Sequence, residues 1–297
     1  MASLREIKQR ISSVRNTLKI TSAMKMVSSA KLFKAQQAIA GNVPYEKQLH
    51  GMLDRLLMDK KANECFHRLP QAGASNENKE KGSVTLVLFS SDSSLCGSFN
   101  MNVIRKFQES LHELHLEGYS DDDIEIYTVG KRIAEAVRRM GLTITREWVG
   151  SKTRTEYEKA VEIYDTLTAD FEMGKTRRIL LVYGHFHSTG HQYPKVDTYL
   201  PLEHTQAQGV EDLDTDFILE PDVQALVSSL VPKVMLLKIY TVILDANAAE
   251  HAARTMAMQI ASDNAEDLLG ELTLSYNKTR QQAITNEILD IVGGSLQ

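Results

Sequence analysis

The sequence predicts an α/β fold in which long N- and C-terminal helices form an antiparallel coiled coil, with an α/β domain inserted between them. The positions of helix-breaking residues are the main observation: residues 1–40 contain neither Gly nor Pro, and residues 233–292 contain only Gly270. Eleven of the sixteen glycines lie instead between residues 62 and 232. Because Gly and Pro are the strongest breakers of helices, the chain is expected to be helical at both ends and globular in the middle.

The N-terminal helix is expected from about Ser3 to Leu57. Its apolar side chains step by three and four residues, a spacing that keeps one seam facing a partner helix. At 1.5 Å per residue this helix would be roughly 80 Å long. The seam is predicted to contain Leu4, Ile7, Ile11, Val14 and Leu18, and to continue after a shift with Ile20, Met24 and Val27.

The C-terminal helix is expected from about Asp222 to Val292, which corresponds to roughly 105 Å. Pro232 should kink this helix or mark a break in it. Because both helices leave the same inserted domain, they can pair only in antiparallel fashion, and the longer C-terminal helix would overhang its partner. Its seam is predicted to contain Val223, Leu226, Leu230, Val234, Leu237, Thr241, Leu244 and Ala248.

The segment between the helices alternates strand-like and helix-like patterns, which favours a Rossmann-like α/β domain with a mainly parallel sheet. Strands are predicted at 83–90, 124–129, 142–149 and 179–186, an edge strand could lie at 196–202, and helices are predicted at 102–117, 131–140 and 156–172. The predicted organisation is an N-terminal helix at 1–58, a linker at 59–82, the α/β domain at 83–204, a second linker at 205–221 and a C-terminal helix at 222–297.

Composition excludes several classes of protein. With 297 residues, 42% of them apolar, the chain can bury a sizeable core and is not disordered overall. Its two cysteines, Cys65 and Cys96, provide no disulfide framework and indicate a reducing compartment. The densest apolar stretch, 234–244, includes Lys238 and is shorter than the about 20 residues of a membrane span. No transmembrane segment and no secretory signal are therefore predicted.

Charge is distributed unevenly along the chain. Residues 1–40 carry a net charge of +7 and residues 233–297 a net charge of −3, whereas the whole chain carries −5, which leaves −9 on residues 41–232. A basic, Ser-rich start is typical of an organelle transit peptide, and basic arms also bind nucleic acid. Charge alone leaves both open, although the acidic middle weighs against nucleic acid.

Candidate nucleotide and nucleophile sites lack their necessary residues. Gly174-Lys175-Thr176 resembles the end of a phosphate loop, but Ala169 stands where the first glycine of that motif is required. No GxGxxG follows a predicted strand. The loop of Ser90–Gly97 contains serines, Asp92 and Cys96, but it lacks a nucleophile elbow. A helix-to-strand turn and a small-residue loop around a buried cysteine are the favoured interpretations.

A histidine cluster is the remaining candidate for chemistry. His185 and His187 lie two residues apart near the end of a predicted strand, with His191 close by, and this spacing could suit a metal. Cys, Asp and Glu are absent from among them, so a solvent-facing strand end is favoured. The sequence thus predicts no catalytic, cofactor-binding or metal-ligating residue.

Both ends of the chain resemble one known family. The stretch 11–27 (ISSVRNTLKITSAMKMV) closely resembles the start of ATP synthase gamma subunits of the bacterial type, and the C-terminal stretch 250–294 is a second match. The C-terminal match rests on Glu250–Arg254, Met258, Asp263–Ala265, Leu272, Tyr276–Lys278, Arg280–Gln281, Ala283–Glu287 and Ile291–Gly294. Between the ends, the family's loop and the lead-in to its last helix are matched by Asp92, Leu95–Gly97, Asn100 and Leu219–Asp222.

Two departures from the family pattern are present: Ser93 stands where Arg is usual, and Thr255 stands where Met is common. The paired-cysteine insertion of chloroplast members is absent from the sequence. Because the resemblance begins near Leu4, the basic start is interpreted as mature protein, which argues against a transit peptide and favours a bacterial origin.

The resemblance implies a non-catalytic subunit that acts as the central rotor shaft of ATP synthase. One copy would turn inside a ring of three α and three β subunits, with its α/β domain against the epsilon subunit and the membrane ring of c subunits. Flow of H⁺ or Na⁺ would drive the shaft, and the β subunits would carry out the chemistry. The implied location is peripheral, on the cytoplasmic face of the bacterial inner membrane, with no cofactor.

The resemblance also implies particular contact residues. By this resemblance, Arg254 and Gln281 are expected to meet loops of the β subunits. An Arg fork is suited to such a contact, since it binds carboxylates directionally. Met24, Lys25, Thr285 and Glu287 would couple the two helices or set their register, and an apolar bearing tip would be formed by Ile284, Ile288, Leu289, Ile291, Val292 and Leu296. The alternatives are solvated helix faces for Arg254 and Gln281, and ordinary seam packing for Met24.

Three other functions remain open at this point. A coiled-coil adaptor for other partners explains the helices but not the C-terminal motif. A nucleotide-using α/β enzyme with helical arms predicts a phosphate loop, which fails at Ala169. Binding of nucleic acid through the basic start is disfavoured by the acidic middle.

Overall fold

The computed structural model describes residues 3–58, 60–67, 69, 82–149, 155–202, 220 and 222–294. The helices are α1 (Leu4–Leu57), α2 (Lys60–His67), α3 (Phe99–Leu116), α4 (Lys131–Arg139), α5 (Glu156–Glu172) and α6 (Val223–Gly294). The strands are β1 (Ser83–Phe89), β2 (Ile124–Val129), β3 (Arg146–Trp148), β4 (Thr176–Ser188) and β5 (His191–Leu200), and a short 3₁₀ turn covers Asp121–Asp123.

The two long terminal helices are confirmed. The first has 54 residues and continues through Pro44, and the last has 72 residues and continues through Pro232. Pro232 therefore does not mark a break in the C-terminal helix, and the alternative expectation of a kink stays a prediction. Helix α2 occupies part of the segment assigned to a linker, and its Ala62 and Phe66 are buried in the core, so this part of the chain is packed structure.

The sheet is mainly parallel, as predicted. Its strand order is β3-β2-β1-β4-β5, with β5 antiparallel to β4 at one edge. Strand β3 is shorter than the predicted 142–149, because it pairs with only the last three residues of β2. Leu142 and Ile144 pack against a core cluster instead of extending the strand.

The two faces of the sheet bury different residues because side chains alternate along each strand. One face packs against α1, α2, α5 and α6 through Val87, Phe89, Tyr127, Ile179, Leu181, Tyr183 and Tyr199. The other face is covered chiefly by α3 and α4 over Val84, Leu86, Leu88, Ile124, Ile126, Leu180 and Val182. Covering on both faces explains why β1 is almost continuously apolar.

The chain divides into two compact units, one joining residues 1–30 with 254–297 and the other containing residues 31–253. In the first unit, the hydroxyls of Thr21 and Ser262 lie 2.8 Å apart. In the second, Thr241 donates a hydrogen bond to Glu46, and Leu32 packs against Ala248 and Ala252. As residue numbers rise along α1, the numbers of the contacting residues on α6 fall, so the two helices are antiparallel within each unit.

The seam of α1 keeps its register where a shift was expected. Ile20 and Val27, predicted to continue the seam, are 60% and 58% exposed. The buried positions are Thr21 and Ser28, which extend the spacing of the earlier seam residues. The prediction failed because it followed apolar side chains alone, whereas a buried hydroxyl can occupy a seam position when it is hydrogen-bonded.

Helix α6 also contains a window that is long and apolar enough to cross a membrane by length and composition alone, with a mean hydropathy of 1.7. Of that window, 44% is buried inside the protein. Val231, Met235 and Ile239 belong to the core next to the sheet. A core helix passes the same test, so the expected absence of a membrane span remains a prediction.

Candidate subunit-contact surface

The end of α6 presents an exposed apolar surface. Ile284, Ile288, Leu289 and Ile291 are 48%, 55%, 62% and 68% exposed. The side chain of Val292, and Leu296, lie outside the described residues. The resemblance assigned these residues to a bearing tip, and their exposure leaves them accessible for contact with another protein. We call Ile284–Ile291 the tip.

The predicted contact residues near the tip are also exposed. Gln281, Thr285 and Glu287 all lie on the exposed part of α6. The Thr285 hydroxyl donates a 2.9 Å hydrogen bond to the Gln281 carbonyl oxygen one turn earlier. Met24 and Lys25 on α1 are half-buried. The roles of Met24, Lys25, Thr285 and Glu287 in coupling the two helices or setting their register stay predictions.

Arg254 lies in a different environment from the one expected. It is only 6% exposed and interacts within the chain, so the alternative of a solvated helix face is wrong. A buried guanidinium is normally paired, because an unpaired buried charge is costly. Little of its surface is free to meet another subunit, whereas Gln281 is exposed.

Sequence reasoning missed further exposed apolar residues in the first unit. Met26 and Leu274 are 71% and 73% exposed, and Ile20, Val27 and Ile260 are also exposed. These residues lie on both helices, away from the buried seam. The signal that could have found them is an apolar side chain outside the seam spacing of a helix that otherwise faces water.

The loop after β1 caps helix α4. The first three backbone N–H groups of α4 donate to the Asp92 carboxylate, the Ser91 carbonyl and the Ser90 hydroxyl at 3.1, 3.2 and 3.0 Å. Gly130 is required here, because a Cβ would lie 2.3 Å from the Ser90 carbonyl oxygen and its φ is +106°. The orphan donors of the helix are therefore satisfied by the chain itself.

The same loop is held from its other side by Asn100. Its amide donates 2.8 and 3.1 Å bonds to the Ser91 hydroxyl and the Cys96 sulfur, and Cys96 is buried as predicted. Leu95 adopts a left-handed backbone conformation with φ of 69°. The favoured interpretation of a small-residue loop around a buried cysteine is confirmed.

The candidate phosphate loop is a helix-to-strand turn, as the sequence favoured. Gly174 has φ of 68° and ends α5, while the Lys175 N–H donates to the Asp170 carbonyl oxygen. The Lys175 ammonium is 3.1 Å from the buried Asp170 carboxylate. Thr176 begins β4 and shares a 2.8 Å hydrogen bond with Thr85.

Asp170 is also bound by the Tyr127 hydroxyl at 2.8 Å. Burial, and then this hydrogen bond to a carboxylate, raise the pKa of Tyr127 far above its ordinary value. The phenol therefore remains a neutral donor, and the Asp170 cluster is part of the fold.

The histidines do not converge. His187 and His191 are exposed, with ring centroids 6.0 Å apart, so the solvent-facing strand end is confirmed for these two. His185 is different, because its Nδ1 lies 2.5 Å from the Asp245 carboxylate of α6. Within the part of the chain that the structure describes, no group of three His, Cys, Asp or Glu could hold a metal ion.

The cavity at the carboxyl edge of the sheet is small. It has a volume of about 100 Å³ and is lined by the ends of β1, β2 and β3 together with α5 and α6. Cavities that take small molecules are typically about 300–1,000 Å³. Its lining includes Trp148 with Asp92, Lys159, Glu162 and Glu250.

Comparison with known proteins agrees with this architecture. A family profile described as ATP synthase matches residues 3–296. An ATP synthase gamma chain of Phocaeicola vulgatus is 45% identical over 299 residues, covering 100% of both chains. One of Bacteroides thetaiotaomicron is 43% identical over 308 residues, again covering 100% of both.

A solved structure shares the fold. A chain of the Euglena gracilis mitochondrial ATP synthase, in an OSCP/F1/c-ring assembly in rotational state 3, matches with a TM-score of 0.64 at 18% identity. The match covers 98% of this chain and 92% of that one. The ATP synthase profile over residues 3–296 places this chain, with its long terminal helices and inserted α/β domain, in the class of ATP synthase subunits. The chain belongs to the ATP synthase gamma chain family, as its full-length relatives show.

Proposed function

We propose that this chain is the central rotor shaft of ATP synthase. It couples ion flow through a membrane ring of c subunits to ATP synthesis or hydrolysis on β subunits, and it contributes no catalytic group. The observation that carries the proposal is the exposed apolar tip, Ile284–Ile291, at the end of a 72-residue helix. Membership in the gamma chain family supports it.

The proposed partners are three α and three β subunits around one copy of this chain, with epsilon and the c ring at the α/β domain. The shaft is asymmetric, so each β subunit meets a different surface of it at a given angle. A protein can shift another between conformations only through contacts that differ between those conformations. Rotation would thus move each β site through its binding states in turn.

The tip supplies apolar contact within the ring, and Gln281 supplies a polar contact to a β-subunit loop. Because Arg254 is 6% exposed, we assign it a supporting role in which it holds the helix that presents these contacts. Its substitution by Ala should lower coupled ATP synthesis while the α/β domain stays folded. Unchanged synthesis in reconstituted vesicles would contradict this role.

The proposed location is the cytoplasmic face of a bacterial inner membrane, where the chain is held as a peripheral subunit by the c ring. The reducing environment of that face suits the two free cysteines, Cys65 and Cys96.

Co-expression with α and β subunits from the same source tests the assignment. We expect the chain to co-elute at one copy per three α and three β, with sustained ATPase activity that β alone lacks. If α and β assemble and turn over equally well without this chain, the shaft proposal is wrong and the coiled-coil adaptor takes its place.

A tip variant tests the observation behind the proposal. Ile284→Ser with Ile288→Ser and Leu289→Ser should leave the isolated chain folded, because these side chains are exposed, but should weaken its retention in the α/β complex. Leu116→Ser is the matched control, since Leu116 is 75% exposed on α3. Equal retention of both variants would show that the tip makes no important contact.

A further inference from the structure

Four polar contacts join α6 to the β4–β5 hairpin within the second unit. Two involve Asp245 of α6, one joins Lys238 of α6 to Asp197 of β5, and one joins the Tyr199 hydroxyl of β5 to the Met235 carbonyl oxygen of α6 at 3.3 Å. Met235, Lys238 and Asp245 are spaced by three and seven residues, which places them on one side of the helix. They form a line of fixed points along the sheet edge.

Asp245 binds β4 with both carboxylate oxygens. One oxygen accepts the Phe186 backbone N–H at 2.8 Å, and the other lies 2.5 Å from His185 Nδ1. The Asp245 side chain is 14% exposed and the His185 side chain 31%. A carboxylate held by a main-chain donor and a ring donor at once has a single allowed orientation.

Asp197 is the second fixed point. Its carboxylate accepts the Tyr183 hydroxyl at 2.8 Å, and it pairs with Lys195 at 2.9 Å and with Lys238 of α6 at 3.3 Å. Burial would raise the pKa of Asp197, but the hydrogen bond from Lys195 and the charge of Lys238 outweigh burial and hold that pKa below its ordinary value. The group is therefore ionised at neutral pH.

The apolar contacts of α6 cannot define its angle as sharply. Val231, Val234 and Ile239 are buried against the sheet side of the core, but burial of apolar surface is non-directional. Apolar burial by itself therefore sets no preferred direction for the helix, whereas hydrogen bonds weaken steeply when their geometry changes. We call the contact between α6 and the β4–β5 hairpin the joint. The carboxylates of Asp245 and Asp197 make its directional contacts.

We propose that Asp245 and Asp197 are positioning residues that fix the angle of α6 on the sheet, so that torque applied to the α/β domain passes to the helix. This inference rests on the proposed function as a shaft. The two residues act by making the joint between sheet and helix torsionally stiff.

Single-molecule rotation tests the joint. In complexes with α and β immobilised on a surface, a bead would be attached to a cysteine introduced at exposed Met101 of α3, in a Cys65→Ser background. Angular fluctuation would be recorded while the complex is paused on a non-hydrolysable nucleotide. Angular variance is inversely proportional to stiffness. We therefore expect it to rise about two-fold in the Asp245→Ala, Asp197→Ala double variant, which loses three of the four polar contacts and retains the apolar packing and the Tyr199–Met235 hydrogen bond.

A second attachment point separates the joint from the rest of the shaft. With the bead on a cysteine at exposed Ser229 of α6, the sheet is no longer in the mechanical path, so the same double variant should leave the variance unchanged. Asp245→Asn should give an intermediate variance, because the amide oxygen still accepts the Phe186 N–H. Asp267→Ala, which removes an exposed carboxylate from the same helix, is the matched control and should behave as wild type.

The outcomes distinguish this inference from the proposed function. If the wild-type chain neither assembles nor rotates with α and β, the shaft proposal itself fails. If wild type rotates and the double variant, folded and hydrolysing ATP, shows wild-type variance from the Met101 position, the two carboxylates do not stiffen the joint. An equal rise in variance from both attachment points would also contradict it, because the added flexibility would then lie elsewhere.

Discussion

The two compact units bury their side chains in very different ways. Among the described residues of the first unit, the buried apolar side chains are Ile7, Met258 and Ala265, beside the polar Thr21, Ser28, Arg254 and Ser262. The second unit buries a dense apolar core on both faces of its sheet. A two-helix seam cannot remove much surface from water, whereas helices on both sides of a sheet can.

The difference explains where each unit gets its stability. The second unit has a large core of its own. The first presents apolar side chains outward, among them Met26, Leu274 and the tip. We expect the tip, where several such side chains lie at the end of one helix, to contact another protein. Substitutions in the two units should therefore differ in how much stability they remove.

Truncation in the core of the second unit should have the largest effect on stability. Phe107 is 0% exposed, so Phe107→Ala should lower the free energy of unfolding by about 3–5 kcal/mol, through lost burial and the cavity left behind. Urea denaturation of the purified chain measures this. Phe33→Ala is the matched control, since Phe33 is 68% exposed. Equal losses in the two variants would contradict the contrast.

Substitution in the loop that caps α4 should have the second-largest effect on the free energy of unfolding. Gly130→Ala would place a Cβ 2.3 Å from the Ser90 carbonyl oxygen in a backbone conformation that suits only glycine. We expect a loss of about 1–3 kcal/mol in the free energy of unfolding, because the loop or the helix start must move. Gly118→Ala has a similar positive φ but open space around it, so it separates strain from collision. A larger loss at Gly118 would overturn the explanation.

The buried hydroxyl pair tests the thin seam of the first unit. Thr21→Val leaves Ser262 buried without its 2.8 Å partner and should cost about 1–3 kcal/mol. Adding Ser262→Ala removes the orphaned hydroxyl and should recover part of that loss. A double-mutant cycle by thermal unfolding measures the coupling. If the two single effects simply add, the pair does not contribute as a hydrogen-bonded unit.

The smallest expected effect is the acid dependence contributed by Asp197. Its pKa is below the ordinary value in the folded protein, so the carboxylate stabilises the fold above its unfolded pKa. That contribution is lost as pH falls through the folded pKa. Asp197→Asn should therefore be less stable than wild type at neutral pH and should lose less stability on acidification. Parallel pH profiles of the two proteins would contradict this sign.

The long helices and most of the inserted domain follow directly from local pattern. Helix α5 begins and ends at the predicted residues. Thr155 and Glu158 form a capping box at its start, and Gly174 terminates it. Strand β3 and helix α2 were misjudged, since their ends depend on how much of a neighbouring element they meet. The candidate contact residues were assigned by resemblance to the family. The resemblance does not indicate how exposed a side chain is, so it did not predict that Arg254 is buried.

By itself, the sequence determined the order of elements apart from α2, the two terminal helices, the mainly parallel sheet and the family. These follow from helix-breaking residues, apolar periodicity and motif identity, all of which are local in the chain. Tertiary structure alone decided that Thr21 rather than Ile20 lies in the seam, that Arg254 is buried, and that Asp245 meets His185. Those outcomes depend on contacts between residues distant in sequence, where the packing of one element sets the environment of another.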